Sequence, residues 1–438
     1  MSTLDGRVTG IVDAHAHFFN PRTPPWSLQR LGRSSVPVLR ALPAPLLRLA
    51  GRFTDEHRLG DIAGPGALGR RYEIREYGRD LAGLGTVAGV SVESVIPVDS
   101  QWRRRSSPDD AAADIRRNTE YLAGLAYGNG MPALGGLVVP ADDRLPDLGI
   151  RESLAHDEAG LIRGVRLRWG RHPDPLVYDW SDDAAVLDSA NLGRTLPSLI
   201  ERGLLLEVLC YSHQLGDLAV FASDYPELPI VVGALGLPVG VFGPVGSCTG
   251  TTAAARADII GLWRERMAML AARPNVSVKI SGIANSLFGY GRERSGNIGG
   301  QHILADMIGP LVLHVVDRFG PERVLFGSNA PLDDHNATID VTVGALLDVL
   351  ADRGDHLLAH LFAENARRLY RIPEAGPKPG EPEPAGPERE EPGSAGPEGS
   401  GAEISGGVDT RNGDPEAGGE PGPDQESAGD ALTGDRKI

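Results

Sequence analysis

Gly10-Ile11-Val12-Asp13-Ala14-His15-Ala16-His17-Phe18 reads as an apolar strand that ends in a D-x-H-x-H cluster. Strand side chains alternate between faces, so Asp13, His15 and His17 are expected on one side together. Two neutral imidazoles on one face can grip a divalent metal, and a flanking carboxylate can fix the ring tautomers. The plainer reading is an H-x-H pair on a solvated strand face. Context favours the ligand pair: Phe18-Phe19-Asn20-Pro21 follows at once, so the histidines stand where a buried strand opens into a loop. In an α/β barrel that place is the catalytic rim.

Beyond this strand the chain repeats one theme, a short β-branched run followed by a longer segment with helical spacing. Further strands are expected at Val87–Pro97, Ala133–Pro140, Ile162–Trp169, Leu204–Tyr211, Pro229–Leu235, Val276–Ser281 and Val324–Pro331, making eight. Amphipathic helices are expected between them, among them Ile74–Leu84, Ala111–Ala126, Ala184–Arg202 and Ile303–Phe319. This alternation predicts the α/β class and a (β/α)8 TIM barrel of parallel strands with crossover helices. A doubly wound open sheet is the alternative, but it would want a Gly-rich phosphate turn where the histidines stand.

Composition divides the chain at residue 372. Residues 1–371 are expected to form the barrel domain, with a long insertion over 18–72 read as a substrate lid at the rim. Residues 372–438 turn to Pro, Gly, Glu and Ser and carry 16 acidic against 5 basic side chains, a net of −11 within the chain's −16. That tail lacks the apolar residues needed to fold and is expected to be disordered. No basic stripe suggests nucleic acid, and no apolar run approaches a membrane span. Cys210 and Cys248 have no C-x-x-C spacing, so no disulfide framework or zinc knuckle is indicated. A soluble cytoplasmic protein acting on a small molecule is the expectation, with its oligomeric state open.

Several polar residues sit inside apolar runs, where an unpaired charge is costly to bury. Glu93 is read as a metal or substrate contact, or else as solvated at an early strand end. Arg166 and Arg168 share one strand face and suit a substrate carboxylate, or form an ion pair within the barrel. Glu207 follows the logic of Glu93. His213 opens a helix, as a capping residue or as a base. Lys279 needs an anionic partner, which a substrate acid or a glutamate could supply.

Together these residues resemble the amidohydrolase-related branch of the amidohydrolase superfamily, the group of sugar lactonases, pyrone-dicarboxylate lactonase and aromatic-acid decarboxylases. Val12-Asp13-Ala14-His15-Ala16-His17-Phe18 resembles its first-strand metal motif, ARPNVSVKISG (272–282) its N-V-x-V-K-x-S-G strand, PERVLFGSNAP (321–331) its eighth strand and FAENARRLYRI (362–372) its closing helix. The resemblance implies a hydrolase that opens a lactone, or a related cyclic ester or amide, of a carboxylate-bearing molecule. His15, His17 and Glu93 are then the expected ligands of a divalent metal, zinc or manganese, unless the metal has been lost. Two departures stand out. Asn329 replaces the family's metal-binding or basic Asp, and Ala234 stands where a strand-six His is usual. The proton acceptor must then come from Asp333, four residues after Asn329, from Asp334, from His213 or from the lid. Arg166, Arg168, Lys279 and Glu207 are the expected substrate contacts. Non-oxidative decarboxylation or another lyase step is the alternative reaction, and a barrel that only binds ligand is the alternative outside enzymology.

Overall fold

A computed structural model describes residues 3–20, 70–98, 108–181, 184–291 and 298–373, all within the unit Met1–Gly376. Most of the expected insertion over 18–72, its amphipathic piece Leu39–Leu49 and nearly all of the expected tail over 372–438 lie outside the described residues.

The strands are β1 Ile11–Ala16, β2 Val92–Pro97, β3 Ala133–Leu134, β4 Leu137–Pro140, β5 Ile162–Arg168, β6 Leu205–Leu209, β7 Ile230–Val232, β8 Val276–Ile280 and β9 Val324–Phe326. The helices are α1 Ile74–Asp80, α2 Leu84–Ala88, α3 Pro108–Ala123, α4 Arg151–Ala155, α5 Ala190–Glu201, α6 Leu215–Asp224, α7 Ala253–Ala271, α8 Gln301–Phe319, α9 Ile339–Val349, α10 Asp355–Ala359 and α11 Asn365–Tyr370. Every strand pairing is parallel. The hydrogen-bonded orders are β1-β2-β3 and β4-β5-β6-β7-β8-β9. Parallel bridges Ala16↔Ala330 and Val98↔Val138 join the two runs. Pairing therefore passes round the ring, and the fold is a (β/α)8 barrel.

The single strand expected at Ala133–Pro140 is split into β3 and β4 by Gly135-Gly136. A Cβ at Gly136, whose φ is +150°, would lie 2.5 Å from Arg163 Cγ, so only glycine lets the chain shift register there. Strand burial is nearly complete: every residue of β1, β6 and β8 is buried, including Asp13, His15, Glu207 and Lys279. Charged groups in such positions need partners, and those partners form the site.

At the amino-terminal end of the strands α11 seals the barrel. Asn365 Nδ2 donates to Pro321 O at 2.6 Å and Val324 O at 2.8 Å. Arg367 pairs with Glu93, and both Arg367 and Glu93 contact Thr9 Oγ1 at 2.9 Å. Among the described residues no helix is long and apolar enough to cross a membrane.

Candidate active site

Alternation along β1 turns Asp13 and His15 to the barrel interior, and His17 follows at the carboxyl end. His15 Nε2 and His17 Nε2 are 3.2 Å apart, with the rings nearly edge to face. Arg166 Nη1 lies 3.1 Å from His15 Nε2. A guanidinium has no acceptor, so His15 Nε2 must accept and the ring proton is assigned to Nδ1, which faces Ser281 Oγ at 3.5 Å and Glu207 Oε1 at 3.8 Å. Burial holds the His15 imidazole well below its ordinary value, and Arg166, Lys279 and His17 push it the same way. These effects all favour the neutral ring. The approach is possible because Gly327 has no side chain: a Cβ there would lie 2.5 Å from His15 Cβ.

Beneath the imidazoles two cations share one carboxylate. Arg166 Nη1 is 3.2 Å from Glu207 Oε1, and Lys279 Nζ is 2.5 Å from Glu207 Oε2. Lys279 also donates to Ala14 O at 2.6 Å, which ties β8 to β1 directly below the histidines. Arg166 and Glu207 are opposite each other in the β5–β6 register. Burial pulls Lys279 below its ordinary value, with Glu207 opposing the shift. This trio leaves an excess of positive charge under the cavity. Asp13 does not orient a ring. Its Oδ1 accepts from His15 N at 3.0 Å and Ser328 N at 2.9 Å, and its Oδ2 accepts from Tyr77 OH at 2.6 Å.

Across from β1, Asn329 has a left-handed φ of +57°, which asparagine tolerates. Its Oδ1 lies 3.3 Å from His17 Nε2, and its Nδ2 donates to Asp333 Oδ1 at 2.7 Å. Since the amide nitrogen is committed to a carboxylate, the oxygen faces His17, and His17 Nε2 is assigned as the donor. Asp333 Oδ2 accepts from Ala284 N at 3.0 Å. Burial pushes Asp333 up to about 7, against the pull of the bonds from Asn329 and Ala284.

The cavity over this floor measures about 470 Å³ including its open mouth. Its polar side is His15, His17, Arg166, Arg168, Asn285 and Asn329, and its apolar side includes Trp180, Leu209, Leu237, Leu287 and Leu332.

The structure thus gathers His15, His17, Arg166, Arg168 and Asn329 at one cavity. Glu207 and Lys279 lie fully buried beneath it as an ion pair and do not line it. Asp333 stands behind Asn329. Glu93 does not join them: it is the second residue of β2, at the opposite end of the barrel, because its charge is satisfied by Arg367. His213 does not line the cavity either. Its ring stacks at 6.2 Å on Tyr211 and meets His172 at 5.5 Å, and burial lowers it. The neighbouring Gln214 performs the helix-opening role, with Oε1 accepting from Tyr211 N and Arg171 N. Trp180, Asn285 and Leu237 were not singled out by the sequence. Leu237 and Asn285 do fall in two Gly-rich stretches, Gly236–Gly250 and Gly282–Gly300, whose composition was the available signal.

A divalent metal is the group this fold implies. The two Nε2 atoms are spaced like two corners of a tetrahedral zinc site, whose ligand atoms would stand about 3.4 Å apart. The remaining donors do not fit. The His15 lone pair already accepts from the Arg166 guanidinium, so it is not open to a metal in this arrangement. Among the described residues no third His, Cys, Asp or Glu completes a metal-holding group.

Beside the cavity, Asp174 joins two rim loops. Buried after β5, it accepts from Ser247 N at 2.8 Å, Cys248 N at 2.8 Å, Thr249 N at 3.2 Å and the hydroxyls of Ser247 and Thr249, all from the loop after β7. Burial alone would raise this carboxyl, but the N–H groups of Cys248, Leu176 and Ser247 hold it well below the ordinary range.

Comparison with known proteins places these features. A family model described as "Amidohydrolase" matches residues 12–372. An L-fucono-1,5-lactonase of Burkholderia multivorans is 28% identical over 308 residues, 69% of this chain and 94% of that protein. One of Burkholderia ambifaria is 27% identical over 268 residues, 59% of this chain and 77% of that protein. An uncharacterised protein of Sinorhizobium fredii is 27% identical over 254 residues, 58% and 75% of the two chains. Among solved structures, an amidohydrolase of Burkholderia multivorans with bound zinc covers 83% of this chain and 100% of its own, at 20% identity and a TM-score of 0.55. That last match is a likeness of fold.

Proposed function

The chain belongs to the amidohydrolase family, and we propose that it uses water to open a lactone, or a related cyclic ester, of a carboxylate-bearing small molecule. The observation that carries this is the convergence of His15, His17 and Arg166 on the floor of one cavity, with Arg166 3.1 Å from His15 and the two imidazoles 3.2 Å apart. The lactonase names of the Burkholderia relatives support it.

Opening a cyclic ester needs a stabilised oxyanion, an acceptor for the water proton and a donor for the departing alkoxide. Arg166 supplies the cationic N–H donor. Because Arg166 and Lys279 share the single carboxylate of Glu207, the floor carries a fixed positive field in a poorly screened setting, where negative charge developing in the transition state gains most. With its Nε2–H given to Asn329, His17 accepts the proton of the attacking water at Nδ1. The imidazolium so formed is stabilised through Asn329, whose amide is polarised by the Asp333 carboxylate, in the way a carboxylate supports a catalytic histidine. The same ring returns the proton to the leaving oxygen. His15, held neutral, keeps Arg166 in place, and Arg168 at the cavity edge meets the substrate carboxylate. No step needs a metal ion.

The test is proton release from a lactone panel. Arg166→Met is expected to lower kcat/KM by about 100- to 1,000-fold, the loss typical of one oxyanion donor. Treatment with a chelator is expected to leave activity unchanged. Undiminished turnover in Arg166→Met, or activity lost on chelation and restored by zinc, overturns this mechanism.

A further inference from the structure

We propose that the substrate is a lactone with one apolar face, an alkyl- or aryl-substituted ring, and not a polyhydroxylated sugar lactone. The proposal rests on the hydrolase reading above and narrows its substrate class.

The cavity lining mixes polar and apolar side chains. Its polar groups are those where the reaction is placed, together with Arg168 and Asn285. Asn285 Oδ1 is committed to Leu287 N at 3.0 Å, which leaves its amide N–H groups to the cavity. The apolar lining is Trp180, Leu209, Leu237, Leu287 and Leu332. These come from five separate segments, following β5, ending β6, and following β7, β8 and β9. The apolar face is therefore assembled by the barrel and is not the by-product of one hydrophobic helix. Each of the five keeps a residual 3–6% exposure, the little that the cavity uncovers.

Leu237 adds an independent observation. Residues 234–237 run Ala-Leu-Gly-Leu with φ of 48°, 53°, 66° and 37°, all left-handed. Asparagine and glycine adopt that region with least strain, and leucine does so poorly. Strain of this sort persists only where the surrounding structure over-determines it. Leu237 and Ala234 of this turn both line the cavity, Ala234 where a larger polar side chain would fill it.

A sugar lactone carries hydroxyls around its ring. Seated with its carbonyl at the Arg166 floor, it would turn several of them toward leucine side chains, which offer neither donor nor acceptor. A hydrophobic wall discriminates against one added hydroxyl by about 100-fold. An alkyl or aryl substituent would instead cover the leucines and pack on Trp180.

The test uses the full-length protein and two δ-lactones, 5-butyl-δ-valerolactone and L-fucono-1,5-lactone, both without the carboxylate that Arg168 would meet, so that its loss cancels in their ratio; opening is followed by indicator-coupled proton release with the spontaneous rate subtracted. The alkyl lactone is expected to be preferred at least 100-fold in kcat/KM. Leu237→Asn, a substitution the left-handed backbone accepts, is expected to cut that preference at least tenfold. Leu287→Ala is expected to raise KM for the alkyl lactone with little change in kcat. Melting curves establish that each variant is folded. Equal or faster opening of L-fucono-1,5-lactone overturns the apolar-face proposal and leaves the hydrolase standing. If neither lactone is opened, calorimetric titration with the two corresponding hydroxy acids, which do carry a carboxylate, decides: tighter binding of the alkyl acid supports the proposal, and equal or tighter binding of the sugar acid overturns it.

Discussion

Replacing Asp333 by Asn should change the way stability depends on pH more than its value at any one pH. The Asp333 carboxyl is fully buried, and burial lifts it from 3.8 to about 7 even though Asn329 and Ala284 donate to it. An acid raised in this way keeps its proton in the folded protein at pH values where the unfolded chain has lost it. The native state then binds more protons across that window, so stability falls as pH rises through it. At 1.36 kcal/mol per pH unit the lift corresponds to about 4 kcal/mol, absent below about pH 4 and complete above about pH 7. Asp334 lies in the same window, raised to about 7 by burial and by Asp80, and Asp13 and Asp80 are raised as well, so the variant loses one of several such contributions. An asparagine also leaves one of the two donors without an acceptor, but that offset does not vary with pH. The measurement is urea unfolding at about pH 5, 6, 7 and 8, with m-values checked for constancy. The wild-type curve should fall more steeply than the variant's by up to about 1.4 kcal/mol per pH unit between pH 5 and 6.5, and the two should run parallel above 7.5. Parallel curves over the whole range would show that Asp333 ionises normally and refute the argument.

Asn329→Asp sets a second carboxylate against Asp333 across a contact that is now 2.7 Å; the pair should hold one proton past neutrality, so stability in the same urea series should keep falling above pH 7 by about 1.4 kcal/mol per pH unit. Glu207→Gln strands two buried cations and should destabilise by about 3–5 kcal/mol in denaturant titration. The double variant Glu207→Gln with Lys279→Met should recover part of that loss, and no recovery would mean that the two residues act independently. Asp174→Ala abandons several donors at once and should expose amides of residues 246–249 to hydrogen exchange well before global unfolding; unchanged protection there would contradict the clamp.

The alternation of short apolar runs with helical segments made the barrel legible, because period-2 and 3.6 patterns are local properties of the chain. The break at Gly135-Gly136 was not, since the need for glycine arises from Arg163 on the next strand. In the site, the His15 and His17 geometry follows from strand alternation alone. Glu93, Glu207 and Lys279 all presented the same sequence signal, a charge within an apolar run. What separates them is depth along the barrel axis: Glu93 meets the closing helix at one end, whereas Glu207 and Lys279 meet each other across the interior. That depth depends on shear and closure, which no local window contains. Asn329 looked like a lost carboxylate in sequence. In three dimensions a carboxylate, Asp333, stands one layer behind it and is linked to His17 through the Asn329 amide.

The Asp174 carboxylate, gripping one rim segment from its place in another, makes the two mechanically a single piece. A hinge in either would have to break five hydrogen bonds from three successive residues, Ser247, Cys248 and Thr249, at once. This side of the mouth therefore behaves as a fixed jaw, and admission of a ligand falls to rotation of side chains such as Trp180 or to rim segments elsewhere on the barrel. Evolution of new specificity on this scaffold would accordingly proceed by exchanging wall residues such as Leu237 and Leu287, with the frame that carries them left unaltered.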